Sequence, residues 1–194
     1  MSILFFDTET NGVPAGHFYE QRLVQIAWEY HDEVANHLIR DITHISPKVP
    51  HPWTVEACRE RGIEFATAFG AFMKALRTCT RVVAHNLEFD AGALRYELQE
   101  RGGALSTLVD EFTSLITTKG YCTMQNSTQL CKIPKTGAAA RHPGYKYPRL
   151  EELHMHLFGN SPAVCLHDAA NDVAVLKSCA EALLQPKTVL TASS

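Results

Sequence analysis

Short apolar runs and longer amphipathic stretches alternate along the chain of 194 residues. Residues 3–6 form an unbroken apolar run that ends at Asp7, which is typical of a strand buried on both faces. Residues 23–30 and 38–45 predict a second and a third strand, since apolar residues recur there at short intervals. Three strands in direct succession favour a hairpin-connected meander at the start of the fold.

Helical spacing alternates with short apolar runs after this meander. The further predicted elements are a helix around 68–76, a strand at 81–85, helices at 91–101 and 107–117, a short strand at 121–124 and a helix at 168–184. Strands that alternate with helices predict an α/β fold with a mixed central sheet flanked by helices. Without a repeat or an internal linker, the pattern predicts one domain over 1–186 and a frayed tail over 187–194.

Composition narrows the class of protein but does not choose a function. A chain that is 45% hydrophobic and 20% charged is typical of a globular domain rather than a low-complexity one. Its net charge of −3 argues against a protein that coats polyanions, so contact with nucleic acid would need a local basic surface. No apolar run is long enough for a signal peptide or a membrane span, so we expect a cytoplasmic or nuclear protein that is neither secreted nor bound to membranes.

Two carboxylates follow the first apolar run. Asp7 and Glu9 are two positions apart, so in a strand their side chains point to the same face. Two unpaired carboxylates beside an apolar core are unfavourable, and a divalent cation with its preference for carboxylate oxygen would stabilise them. The alternative is that the strand has ended and that both acids are solvated.

Further acids lie at the starts of two predicted helices. Asp90 follows the strand at 81–85, where an ordinary helix N-terminal acid is an equally good interpretation. Asp172 lies in the first turns of the last helix, five residues after His167. Asp168 is placed to cap that helix, and we assign it only this role.

Together these three segments resemble the DEDDh 3′–5′ exonucleases, the DnaQ-like group that includes proofreading subunits, ribonuclease T and oligoribonuclease. Asp7-x-Glu9 is similar to the family's first motif and His85-Asn86-x-x-Phe89-Asp90 to its second. The third motif is matched by His167-x-Ala169-x-x-Asp172, with the spacing of the histidine subclass. The motifs occur in the family's order and span nearly the whole chain.

The resemblance implies a ribonuclease-H-like fold and two divalent metal ions, Mg²⁺ or Mn²⁺, held by Asp7, Glu9, Asp90 and Asp172. These four acids and His167 would be the catalytic residues, with His167 as the general base. Imidazole ordinarily titrates at about pH 6.5, which suits proton removal at neutral pH. The products would be nucleoside 5′-monophosphates released from a 3′ end.

The resemblance also implies contacts to substrate. Thr10 would meet the terminal 3′-hydroxyl, and Asn86 and Phe89 would lie near the scissile phosphate and the terminal base. Plain core packing is an equally good interpretation of Phe89. Arg61 occupies the position of a histidine in the family's His-Gly-Ile element.

A basic segment lies between the second and third motifs. Residues 112–150 contain no acid and six cations, which include Lys146 and Arg149. Tyr145 and Tyr147 interleave with these cations and are suited to stack on bases. A surface that follows the phosphates of a single-stranded substrate would have this composition, as would a solvated loop rich in Pro and Gly.

Several functions stay open at this level. The chain is either an active exonuclease on DNA or RNA with a free 3′ end, a subunit active only in a polymerase or processing complex, or an idle nucleic-acid-binding module on the same fold. The acids at the strand ends alone would also permit a generic phosphohydrolase, whereas the third motif argues against one. Five intact positions, the four acids and His167, favour an active enzyme.

Overall fold

The computed structural model of this chain describes residues 2–12 and 21–185. The tail expected over 187–194 lies outside the described residues. The strands are β1 (Ile3–Thr10), β2 (Leu23–Tyr30), β3 (Glu33–Leu38), β4 (Arg81–Ala84) and β5 (Gly120–Cys122). The helices are α1 (Val55–Arg61), α2 (Phe65–Thr78), α3 (Leu87–Arg101), α4 (Gly103–Ser106), α5 (Val109–Lys119), α6 (Thr123–Cys131), α7 (Leu150–Phe158) and α8 (Ala169–Leu184), and a 3₁₀ turn covers Gly137–Arg141.

The strands form one mixed sheet in the order β3-β2-β1-β4-β5. The first three strands pair antiparallel as a meander, whereas β4 runs parallel to β1 and β5 runs parallel to β4. Helices cover both faces of this sheet. The predicted fold class, an α/β fold with a mixed central sheet, is confirmed.

Alternation along β1 divides the core between the two faces of the sheet. Leu4 and Phe6 point to one face, where α2 contributes the largest share of the buried helical side chains and α3 and α5 add others. Phe5 points to the other face and packs with α7 and α8. Because β1 is buried on both faces, its sequence is an unbroken apolar run rather than an alternating one.

The third strand was predicted at 38–45, and this was wrong. It spans Glu33–Leu38, because His31 and Asp32 both adopt positive φ and form a two-residue hairpin turn that brings Glu33 opposite Tyr30. The sequence of this turn lacks the glycine that usually signals it, and the strand lies at the sheet edge with exposed polar residues. Beyond the strand, Ile39 makes a single bridge to Ile63.

The topology brings the three motifs to one edge of the sheet. β1 and β4 are parallel neighbours, so their carboxyl ends lie side by side. The second motif leads directly into α3 and the third into α8, so both helices begin at that edge. In the two described segments, no helix is long and apolar enough to cross a membrane.

Candidate active site

A cavity of about 590 Å³ lies where these strands end and these helices begin. All five of the predicted catalytic residues line it, although they come from three distant parts of the chain. Its lining includes Asp7, Thr8, Glu9, His85, Asn86, Phe89, Asp90, Tyr147, Arg149, His167 and Asp172.

Asp7 and Glu9 extend from β1 into this cavity. Burial raises the pKa of Asp7 well above its usual range, and the charges of Asp90, Asp172 and Glu9 raise it further. Burial, followed by the charges of Asp172 and Asp90, raises the pKa of Glu9 to about 8. The alternative of two solvated acids past a strand end is therefore wrong, because both carboxyls lie within the strand and near other acids.

Asp90 is buried in the first turns of α3 and is held by β1. Its Oδ1 accepts hydrogen bonds from the Thr8 backbone N–H at 3.0 Å and from the Thr8 hydroxyl at 2.7 Å. Burial raises the pKa of Asp90 to about 7, although the two bonds from Thr8 act to lower it. Asp90 is thus fixed to the central strand rather than solvated at a helix end.

Asp172 and His167 are linked through the backbone at the start of α8. The His167 N–H donates to Asp172 Oδ2 at 2.9 Å, while His167 adopts a φ of 71°. Asp168 caps the helix as expected, because its side chain accepts from the N–H groups of Ala170 and Asn171. Burial raises the pKa of Asp172 to about 6, against the lowering effect of its bond from His167.

Three of these side chains are grouped closely enough to hold a metal ion together. Ligand atoms of Glu9, His167 and Asp172 all lie within 4.8 Å of one another. Asp7 and Asp90 line the same cavity beside this set. Clustered carboxyls whose pKa values are raised by burial and mutual repulsion form a donor set that suits a hard divalent cation, since the cation supplies the opposing charge.

Thr10, at the end of β1, and Arg61, at the end of α1, are two of the residues expected at the substrate. The Thr10 hydroxyl donates to Gln21 Oε1, and the Thr10 carbonyl accepts from His51 Nε2 at 2.9 Å. Arg61 does not line the cavity; its guanidinium lies over the ring of Trp53, 5.2 Å from the centroid.

Asn86 and Phe89, by contrast, line the cavity. Asn86 precedes α3 with a φ of 73°, and its carbonyl accepts from the Phe89 N–H at 2.8 Å. Phe89 is half-buried rather than packed in the core, and it also borders a second cavity next to Glu9 and Thr10. Its ring is therefore accessible from the site.

The basic segment reaches the site through its last residues. Arg149 and Tyr147 line the cavity, and Tyr147 is 59% exposed. Lys146 instead pairs with both carboxylate oxygens of Glu152, at 2.7 and 2.8 Å. The Glu152 carboxylate also accepts from the Arg149 N–H at 2.7 Å, so this ion pair holds the start of α7 beside the cavity.

Other cations of the segment serve the fold. Lys119 Nζ donates to the carbonyls of Leu76 and Arg77 at the end of α2, and Lys135 Nζ donates to the Pro143 carbonyl. Within the described residues of this segment, Arg149 is the one cation that lines the cavity. The basic surface is thus smaller than composition indicates.

His85 has a role that the sequence analysis did not assign. Burial lowers its pKa, which favours the neutral ring. Its Nε2 donates to the Pro148 carbonyl at 3.0 Å, and Nδ1 lies 2.9 Å from the Thr123 hydroxyl. His85 therefore ties the 147–149 stretch to the end of β4, and its place in the second motif was the only signal for it.

Comparison with family models and with curated proteins finds no match for this chain. Solved structures do resemble it. E. coli exonuclease I in complex with a dA16 oligonucleotide superposes with a TM-score of 0.61 at 18% identity, over 94% of this chain and 40% of that one.

Two further nucleases give similar superpositions. A 3′-exonuclease that recognises the histone mRNA stem-loop gives a TM-score of 0.64 at 10% identity, over 92% of this chain and 62% of that one. Cell-death related nuclease 4 gives 0.56 at 13% identity, over 93% and 62%. This chain thus spans between two fifths and two thirds of the length of these nucleases. It shares with them the ribonuclease-H-like fold that its motifs led us to expect.

Proposed function

We propose that this chain is a metal-dependent 3′–5′ exonuclease that releases nucleoside 5′-monophosphates from single-stranded nucleic acid. The observation that carries the proposal is the convergence of Asp7, Glu9, Asp90, His167 and Asp172 on one cavity. The exonucleases that share the fold support it. An idle binding module would have no need for four carboxyls held together against their own repulsion.

The carboxyls of Asp7, Glu9, Asp90 and Asp172 would hold the cation or cations. Two divalent ions bound there would supply positive charge to the scissile phosphate and to the leaving 3′-oxygen. Release of protons from the raised-pKa carboxyls would accompany binding, because a carboxyl coordinates metal as its anion.

His167 is placed to accept a proton from the attacking water. The water oxygen forms the new bond to phosphorus, the bond between phosphorus and the 3′-oxygen breaks, and a ring nitrogen of His167 takes the water proton. The 3′-oxygen that leaves is then protonated by solvent. His167 is exposed and lines the cavity, so a substrate bound there can reach its ring.

The substrate would enter past the ring of Phe89 and the exposed ring of Tyr147. Aromatic side chains stack on bases of any identity, and the guanidinium of Arg149 suits a phosphate. Helices α3 and α8 both begin at the cavity, and their amino termini add partial positive charge there.

The test uses oligonucleotides labelled at the 5′ end, as single-stranded DNA, single-stranded RNA and duplex, with Mg²⁺, with Mn²⁺ and with chelator. We expect a ladder that shortens from the 3′ end with metal and no change with chelator. A matched substrate blocked by a 3′-terminal phosphorothioate linkage should resist. Internal cleavage of that blocked substrate, or no cleavage of any substrate, would contradict the proposal.

A further inference from the structure

Gln25 lies at the centre of a buried hydrogen-bond network behind the site. This residue of β2 is fully buried. Its Oε1 accepts from the indole Nε1 of Trp53 at 2.7 Å and from the backbone N–H of Ala169 at 3.0 Å. Its Nε2 donates to Asn36 Oδ1 at 2.8 Å and to Asp168 Oδ2 at 3.2 Å. One side chain therefore binds the first turn of α8 at two points, 143 and 144 residues away along the chain.

The network continues from Trp53 to the end of β1. The Trp53 N–H donates to His51 Nδ1 at 3.3 Å, so the proton of the neutral ring is on Nε2. That Nε2 donates to the carbonyl of Thr10, next to Glu9, at 2.9 Å. His51 is itself buried, which leaves its ring in this one orientation.

These contacts connect the two halves of the candidate site from behind. One half is the end of β1 with Glu9, and the other is the start of α8 with His167 and Asp172. No main-chain pairing joins these halves, because α8 is a helix packed on the sheet face. The donor atoms nevertheless lie within 4.8 Å of one another, a spacing that a small rotation of α8 would change.

We infer that Gln25 is a positioning residue that holds His167 and Asp172 in register with Glu9, through Ala169 and Asp168 on one side and through Trp53 and His51 on the other. Gln25 lines neither of the two cavities at the site, so it acts only through these partners. Partners of metal ligands commonly change metal affinity or activity by about 10–100-fold when they are replaced. The expected effect of Gln25 on catalysis rests on the proposed function, whereas its effect on the placement of His167 and Asp172 relative to Glu9 rests on geometry alone.

The first test compares Gln25→Glu with Asn36→Ala. Gln25→Glu keeps the size of the side chain and the acceptor for Trp53 and Ala169, but it turns the amide group that faces Asp168 into a second oxygen. Asn36→Ala removes another partner of the same amide without touching α8. We expect the dissociation constant for Mn²⁺, measured by calorimetry without nucleic acid, to rise about tenfold in Gln25→Glu and to stay unchanged in Asn36→Ala.

The same pair of variants separates positioning from substrate binding. Because Gln25 lies behind the site, Gln25→Glu should lower kcat and leave the KM for an oligonucleotide unchanged. Equal Mn²⁺ affinity and kcat in Gln25→Glu and Asn36→Ala would overturn the inference.

A second measurement needs no activity. In metal-free protein, Trp53→Phe removes the indole N–H from Gln25 and should speed amide hydrogen exchange over 167–172, whereas Asn36→Ala should not. Unchanged exchange in Trp53→Phe would overturn the inference. If the native chain binds no Mn²⁺ but Trp53→Phe still exchanges faster over 167–172, the proposed function is refuted and the positioning role of Gln25 stands.

Discussion

Single residues of the candidate site combine a proposed catalytic role with a structural one. Asp172 lines the cavity and also accepts from the His167 N–H, so removing its carboxylate would disturb the proposed base as well as the proposed ligand set. Asn86 and His167 both have positive φ where their motifs turn into helices. Backbone conformations of this kind are unfavourable for residues other than glycine and gather at functional sites.

Thr8 tunes Asp90 through its hydroxyl, which donates to Asp90 Oδ1 at 2.7 Å. Thr8→Val removes this bond and should raise the pKa of Asp90 further, so that a larger fraction is protonated at neutral pH and unable to coordinate metal. We expect the acidic limb of the pH profile of kcat/KM to move up by about one unit.

Thr8→Ser keeps the hydroxyl and serves as the control, because the backbone N–H of residue 8 remains in both variants. Profiles that coincide for the valine and serine variants would show that the hydroxyl does not tune Asp90.

His167 can be tested as a base separately from its place beside Glu9 and Asp172. His167→Asn suits the positive φ at this position, since asparagine tolerates that conformation better than alanine does. We expect single-turnover rates to fall by about 10²–10⁴-fold while Mn²⁺ affinity is retained. A rate close to native with an unaltered acidic limb would exclude His167 as the base, and a large loss of Mn²⁺ affinity would identify it as a ligand instead.

At the scale of elements, periodicity predicted the parts of the fold that are long or fully buried. The helix expected around 68–76 is α2, and the apolar stripe near the end of the chain is α8, with Asp168 at its cap. The edge strand β3 was misplaced, since its turn and its exposed face carry no apolar signal. α1, α6 and α7 were not predicted, because each is short and buries only one to three residues.

The site was predictable to a similar degree. Its acids stand in recognisable motifs, so Asp7, Glu9, Asp90 and Asp172 could be found without coordinates. Gln25 and Trp53 could not, because their roles arise only when β2 and the 51–53 segment meet α8 in three dimensions.

The junction between the 145–149 segment and α7 leads to a prediction about substrate binding. Arg149 lines the cavity and leads into α7, so Arg149→Ala should raise the KM for an oligonucleotide more than it lowers kcat. Loss of one phosphate contact should reduce the slope of log affinity against log salt concentration by about one.

Arg141→Ala removes the same charge from an exposed turn that does not line the cavity and is the matched control. Equal slopes for the two variants would mean that Arg149 does not contact phosphate.

For the whole molecule, the clustered carboxyls connect stability to pH and to metal. Asp7, Glu9, Asp90 and Asp172 all have pKa values raised by burial, so these four groups bind more protons in the folded chain than in the unfolded one. Their contribution to stability is therefore greatest below about pH 4, the pKa range of unfolded carboxyls, and declines as the pH rises through the folded values.

We expect the melting temperature of the metal-free chain to fall between pH 5 and pH 8 by more than it does in Glu9→Gln. Mg²⁺ should raise the melting temperature more at pH 8 than at pH 5, since cation and proton compete for the same oxygens. Scanning calorimetry at both pH values measures these melting temperatures. If the melting temperatures of the native chain and of Glu9→Gln change equally with pH, the clustered carboxyls do not destabilise the fold.

The proposed metal-dependent exonuclease activity depends on the carboxyls gathered at the end of β1. Its most direct test is the single-turnover release of the labelled 3′-terminal nucleotide from a single-stranded oligonucleotide, by the native chain and by Asp7→Asn. We expect the native chain to release a nucleoside 5′-monophosphate with Mg²⁺ or Mn²⁺. We expect no release with chelator and none from Asp7→Asn, even though that variant still binds the oligonucleotide. Release by Asp7→Asn at a rate close to native, or undiminished release with chelator present, would show that these carboxyls do not hold a catalytic metal.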